Sequence, residues 1–239
     1  MHQTGRTYFE STRFIKSKES QGQDLLTELD RKMNKEPDYI PFDELLVKRL
    51  NLQVANSPVA QRYYTSRGIT EKSLEIFGLG YSETTKMVTI PMHSPDGMLL
   101  GFVARSIEGK EFKNTPGLPK SKILFNLHRI KASRNVYVVE SSFDAIRLHQ
   151  NGLPAVATLG ANVSGRQVEL LQKYFNDIIV IADNDEAGEQ MRERLYKRLG
   201  SKMSTIKLDS KYKDIGDMSD EEIKKLEYGF DKTIAAMLH

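Results

Sequence analysis

From Asn135 onward, short apolar runs alternate with amphipathic stretches, and this alternation restricts the fold more than any other feature of the sequence. "NVYVVE", "LPAVATLG", "DIIVIAD" and "MSTIKL" read as strands. "SFDAIRLHQNG", "SGRQVELLQKYF" and "EAGEQMRERLYKRLG" read as the helices between them, with Ser164 as the cap of the second. Strands alternating with helices imply a parallel sheet with right-handed crossovers, and near-continuous apolar strands fit a sheet covered on both faces. The expected class is therefore α/β.

Ligands of open α/β sheets gather at the carboxyl ends of the strands. Acids fall at that edge. Glu140 ends the first strand, Asp183 and Asp185 follow the third, and Asp214 and Asp217 stand in "KYKDIGDMSD" after the fourth. The second strand ends instead in "TLGAN", which leaves room. Residues two apart in extended chain point the same way, so Asp183 and Asp185 are placed to converge on one ion. Oxygen donors suit a hard cation, magnesium or manganese. Carboxylates packed without one repel each other and rise in pKa. Each acid alone has an ordinary reading: a helix cap, a solvated strand end, a solvated loop. Together they mark one edge. Glu186 and Glu189 fall in the first turn of the next helix, where negative charge suits the dipole, and Gly188 is expected to let that helix sit close to the sheet. Asp144, one turn into the first helix, is either an orienter of the metal shell or a surface acid.

The chain has 239 residues and no cysteine, which excludes disulfides, thiolate zinc ligands and a cysteine nucleophile. It shows no apolar run of membrane-spanning length and no signal-peptide pattern, so a cytosolic setting without membrane contact is expected. The net charge of +3 is uneven: residues 1–134 carry 21 Lys/Arg against 15 Asp/Glu, and residues 135–200 carry 7 against 9. Residues 1–40 read as an arm or tethered helix, built on "DLLTELDRKM". Residues 41–134 read as a mixed α+β basic subdomain. "FDELLVKRLN", "SPVAQRYYTSRG" (Ser57 cap, Pro58 first) and "ITEKSLEIFGLG" (Thr70 cap, Gly78 stop) are its helices. "MVTIPMHSPDGMLLGFVARSI" is a hairpin around Pro-Asp-Gly. Arg105–Arg134 holds eight Lys/Arg and two acids and reads as a basic loop. The α/β domain covers 135–210, and 211–239 holds the late acids and short closing helices.

"VYVVESSFDAIRLHQNGLPAVATLGANVS", "DIIVIADNDEAGEQMRERL" and "KDIGD" together resemble the TOPRIM domain, the metal-binding module of primases, topoisomerases and some nucleases. "YYTSRGITEKSLEIFGLGY", "VTIPMHSPDGMLLGFVARSI" and "FKNTPGLPKSKILFNL" resemble the RNA-polymerase core of bacterial DnaG-type and phage primases. The resemblance covers roughly residues 57–217. It implies a cytoplasmic, bacterial or phage-encoded enzyme that joins NTPs into short RNA primers on single-stranded DNA. It also implies two or more Mg2+ or Mn2+ ions on Glu140, Asp183, Asp185, Asp214 and Asp217, with Asp144 behind them. Glu140 is then a ligand or a base. Arg67, Arg105, Lys113, Lys120 and Lys122 become candidates for template or nucleotide contact. Phe112, Tyr63 and Tyr64 are candidates for base stacking, with core packing the commoner role. Ser141 replaces the family's usual Gly, and Asp214 and Asp217 replace a tighter Lys-Asp-Pro-Asp. Without cysteine the family's zinc domain is not expected here. A replicative helicase and a separate zinc-binding initiation factor are the implied partners, for an excised or naturally minimal core. Rival readings are a TOPRIM nuclease or RNA-processing enzyme, and a non-catalytic nucleic-acid- or helicase-binding subunit.

Overall fold

The structure is a computed structural model that describes residues 41–109 and 111–226. The arm expected over 1–40 and the last part of the closing helices, 227–239, lie outside the described residues. Three helices come first: α1 (Leu45–Ala55), α2 (Pro58–Ser66) and α3 (Glu71–Phe77). The Ser57 hydroxyl accepts from Ala60 N–H at the start of α2, and Thr70 does the same from Ser73 N–H for α3. Such caps satisfy backbone donors that a helix start leaves without partners. Gly78, with φ of 59°, ends α3 in the left-handed region that glycine enters freely.

An antiparallel sheet follows in the order β1 (Gly80–Ser82), β2 (Met87–His93), β3 (Leu99–Ser106), β4 (Phe112–Asn114). The β2–β3 hairpin turns at Pro-Asp-Gly, where Gly97 has φ of 89° and donates its N–H to Ser94 O. The outer strands were not expected from sequence. Each has three residues and lacks the flanking apolar run that marks the equally short strands of the second sheet, and each exists by pairing with its neighbour. The stretch read as a basic loop thus contains an edge strand, and also a 3-10 turn, Lys120–Lys122.

The second sheet has the expected alternation. After α4 (Leu127–Ile130) come β5 (Asn135–Val139), α5 (Ser142–Gln150), β6 (Ala155–Ala157), α6 (Gly165–Tyr174), β7 (Asp177–Val180), α7 (Glu186–Leu199), β8 (Met203–Thr205) and α8 (Asp220–Lys225). All four strands are parallel, in the order β6-β5-β7-β8. Val136, Val138, Ile178 and Val180 form one face of the core with Leu171 and Leu195 from α6 and α7. Tyr137, Val139 and Ile179 on the opposite face are equally buried, and α5 packs there. Burying each such aliphatic side chain contributes about 1.5–3 kcal/mol, which makes this two-faced layer the main store of stability.

Hydrogen bonds tie the second sheet and its helix α5 to neighbouring segments. Phe125 pairs through its backbone with Ala157 at the β6 edge. The Gln150 side chain donates to Gly68 O at 2.8 Å. Buried Arg147 donates to Met218 O at 2.7 Å and to Asp220 at 3.0 Å. The described residues belong to one compact unit that begins at Pro41.

Candidate metal centre

The chain leaves β5 for β6 on one side and reaches β7 on the other. The carboxyl ends of β5 and β7 therefore flank the point where the connections diverge, the place at which open α/β sheets form a crevice. Glu140 follows β5 directly. The register pairs Val138 with Val180, and Ile181 N–H still donates to Val138 O, so the chain after β7 runs beside Glu140 as far as Asp183.

Asp185 caps α7: its Oδ1 accepts from Gly188 N–H at 3.0 Å. Gly188 has the role expected of it, since a β-carbon there would lie 2.1 Å from Asp183 O. Asp144 is not a surface acid. It is 4 % exposed and accepts from the Ser141 hydroxyl at 2.5 Å, while that hydroxyl caps α5 by accepting from Asp144 N–H. Asp214 opens the 3-10 turn Ile215–Asp217. A β-carbon on Gly216 would meet Asp214 Oδ1 at 2.8 Å and Asp144 Oδ1 at 3.7 Å, so both carboxylates face one small space. Asp217 does something else: its carboxylate accepts from Lys213 N–H at 2.8 Å and closes its own turn.

The acids act on each other. Asp183 is pushed up to about 7, by burial first and then by the charges of Glu140, Asp144, Asp214 and Asp185. Asp144 is also lifted to about 7, chiefly by burial and further by Asp214, against the Ser141 hydroxyl bond, the Gly216 N–H and Arg147. Glu140 is raised by burial and by Asp185, with the Asp183 N–H and Lys213 pulling the other way. Among the described residues no three His, Asp or Glu side chains already close on one metal-sized point. The donors nevertheless fit a hard cation. Glu140 Oε1 is buried without a hydrogen-bond partner, and the mutual repulsion that lifts Asp183 is the cost a divalent ion would remove.

Beside these acids lies a cleft of about 400 Å³, lined by Asp183, Asn184, Asp185, Glu189, Arg192 and Lys207 among others. Glu189, expected to serve only the helix dipole, also pairs with Arg192. Asn184 had not been singled out. As the middle residue of Asp-x-Asp it had to point away from both acids, and that alternation was the available signal.

The basic candidates are dispersed. Arg67 is exposed, 5.5 Å over the Tyr63 ring, at the end of α2. Arg105 lies on β3 with its guanidinium 5.0 Å over Phe112 and its Nε buried without a partner. Lys113 pairs with Glu111 at 3.1 Å. Lys122 is exposed, and Lys120 is partly covered, with its backbone carbonyl held by Gln167. The aromatic residues divide. Tyr64 is fully buried and donates to Gly80 O at 2.7 Å. Phe112 is 58 % exposed and is not a core residue among the described residues, because β4 is an exposed edge strand.

A Toprim-like family profile matches residues 137–219. The chain is 38 % identical over 130 residues to the DNA primase of Synechococcus elongatus, covering 49 % of this chain and 19 % of that protein. It is 32 % identical over 152 residues to the uncharacterized protein MG010 of Mycoplasma genitalium, covering 59 % of this chain and 69 % of that protein. Among solved structures, the Aquifex aeolicus primase (zinc-binding and RNA polymerase domains) superposes with a TM-score of 0.68 at 23 % identity, over 78 % of this chain and 59 % of that one. The chain thus spans a small part of the primase from Synechococcus and most of MG010, and its fold is that of the primase catalytic core. On profile, relatives and fold together, the chain carries a Toprim-like domain, is homologous to bacterial DNA primases and to MG010, and has the fold of the DnaG primase catalytic core.

Proposed function

We propose that the chain is a primase catalytic core that joins NTPs into short RNA primers on single-stranded DNA. The observation that carries this reading is the acidic edge at one switch point, where Glu140 and Asp183 end neighbouring strands, Asp144 and Asp214 face one small space, and Asp183 is raised by burial and then by the charges of the other acids. Asp183, Asp185, Glu140 and Asp214 would hold divalent ions, Mg2+ or Mn2+, with Asp144 behind them. Asp217 is the weaker candidate, since its carboxylate closes a turn. When bound, such ions neutralise the triphosphate and lower the pKa of the attacking 3′-hydroxyl.

The chain's own groups do the rest. Glu140, whose Oε1 is without a hydrogen-bond partner among the described residues, would serve as a ligand or as the base that takes the 3′-hydroxyl proton. Arg105 and exposed Phe112 form a cation-aromatic pair suited to one phosphate and one stacked base of the template. Arg67, Lys113, Lys120 and Lys122 add charge for the backbone, which gives affinity and salt dependence without sequence choice. A replicative helicase and a zinc-binding initiation factor are the proposed partners, in the cytoplasm.

The test is incubation with single-stranded DNA, labelled NTPs and Mg2+ or Mn2+. Short RNA products that fall by ~100-fold or more in Glu140→Gln and in Asp183→Ala support the reading. Degraded template without RNA would make the protein a nuclease. DNA binding with neither product, even with a zinc-domain partner present, would make it a binding subunit.

A further inference from the structure

We infer that Asn184 is a positioning residue, which clamps the loop bearing Asp214 against the acids that follow β7. Its Nδ2 donates to Tyr212 O at 2.7 Å, to Asp209 O at 3.1 Å and to Leu208 O at 3.3 Å. Its backbone N–H donates to Lys213 O at 2.7 Å. Two side-chain N–H groups, one of them shared between two carbonyls, and one backbone N–H thus hold the loop at four carbonyls, the last belonging to the neighbour of Asp214. Between the end of β8 and the start of α8 the only regular element is the 3-10 turn Ile215–Asp217, so few backbone bonds fix this segment. Leu208 and Ile215 anchor it to the core, and beyond Asp214 the segment is held by Gly216 N–H on Asp144 and by Arg147 on Met218 O; before Asp214 it is Asn184 that ties its carbonyls to the chain after β7.

The chemistry of position 184 matches this task. Asp214 faces the same small space as Asp144, since a β-carbon on Gly216 would meet both carboxylates, at 2.8 and 3.7 Å. That juxtaposition is repulsive and needs a directional anchor. An amide supplies two N–H donors without adding a charge. A carboxylate of the same shape would turn oxygens toward three carbonyls. The Asp-x-Asp spacing lets the acids face the crevice while Asn184 faces the loop, so one strand end sets both parts of the site.

The inference rests on the reading of Asp183, Asp185 and Asp214 as shared metal ligands. It is tested by Mn2+ titration, followed by the electron paramagnetic resonance of the free ion, without NTPs or template. The variants are Asn184→Ala, Asn184→Asp, Asp214→Asn and the Ala/Asn double. Asn184→Ala is expected to weaken Mn2+ binding by ~10–100-fold, as loss of a residue that orients ligands does. In the Asp214→Asn background the same change should alter affinity by less than about twofold, because Asn184 acts through Asp214 and the two changes are coupled rather than additive. Asn184→Asp should also weaken binding although it adds a negative charge. Hydrogen exchange should show lost protection at the Asn184 amide, with β5 amides unchanged. An equal loss in both backgrounds, or tighter binding by Asn184→Asp, would overturn the clamp. Wild-type protein that shows the coupling but makes no RNA would support the clamp and overturn the primase reading alone.

Discussion

Gly188→Ala isolates the contact on which the acidic edge is built. A β-carbon at position 188 would stand 2.1 Å from the carbonyl oxygen of Asp183 and 2.9 Å from its nitrogen. Both are backbone atoms, so no rotamer change relieves the overlap. Ordinary contact needs about 1 Å more, and either the first turn of α7 or the Asp183 turn has to move by that amount. In a helix interior, alanine in place of glycine gains up to about 1 kcal/mol from propensity, whereas overpacking costs about 1–3 kcal/mol. The net expectation is a loss of about 1–2 kcal/mol in urea unfolding. The larger effect falls on Mn2+ affinity, because Asp183 and the cap of Asp185 on Gly188 are the atoms displaced. Gly165→Ala, also at the start of a helix, is the control: nothing lies within 4 Å of its β-carbon. It should leave both readings unchanged or gain a few tenths of a kcal/mol. If Gly188→Ala matches Gly165→Ala in stability and in Mn2+ affinity, the close approach of α7 does not position the acids and the reasoning fails.

Burial lifts Asp144 from 3.8 to about 7. Its folded form favours the proton, so its contribution is complete below pH 4 and is lost as pH rises toward 7. In EDTA the stability should fall over that window, by on the order of 1–4 kcal/mol, and Asp144→Asn should flatten the fall in urea melts. Mn2+ binds deprotonated acids, so it should raise the Tm more at pH 8 than at pH 5.5, and Asp183→Asn should remove most of the rise. Phe112→Ala should change stability by less than about 0.5 kcal/mol, since the ring is 58 % exposed. On the proposed function it should weaken single-stranded DNA binding by about 1–3 kcal/mol in a filter assay; unchanged DNA affinity would remove Phe112 from the template path.

What could be read along the chain was what is decided within a few residues. The caps at Ser57, Thr70 and Ser164 each bind a backbone N–H three positions on. The β/α alternation from Asn135 and the Pro-Asp-Gly hairpin are likewise periodic or local, and they identified the fold class and the edge where acids gather. Strands β1 and β4 lack the flanking apolar run that marks the equally short β6 and β8. The strand order was also beyond local pattern, and only that order sets Glu140 of β5 beside Asp183 of β7, over forty positions apart. The folded chain likewise buried Asp144 and separated Asp214, which faces the acids, from Asp217, which closes a turn. It turned Asn184 to carbonyls twenty-four to twenty-eight residues away. Sequence by itself therefore determined which acids reach the edge of the sheet, because backbone geometry alternates over two residues. Tertiary structure decided which of them share one space, because burial and charge repulsion depend on neighbours that only the packed chain supplies.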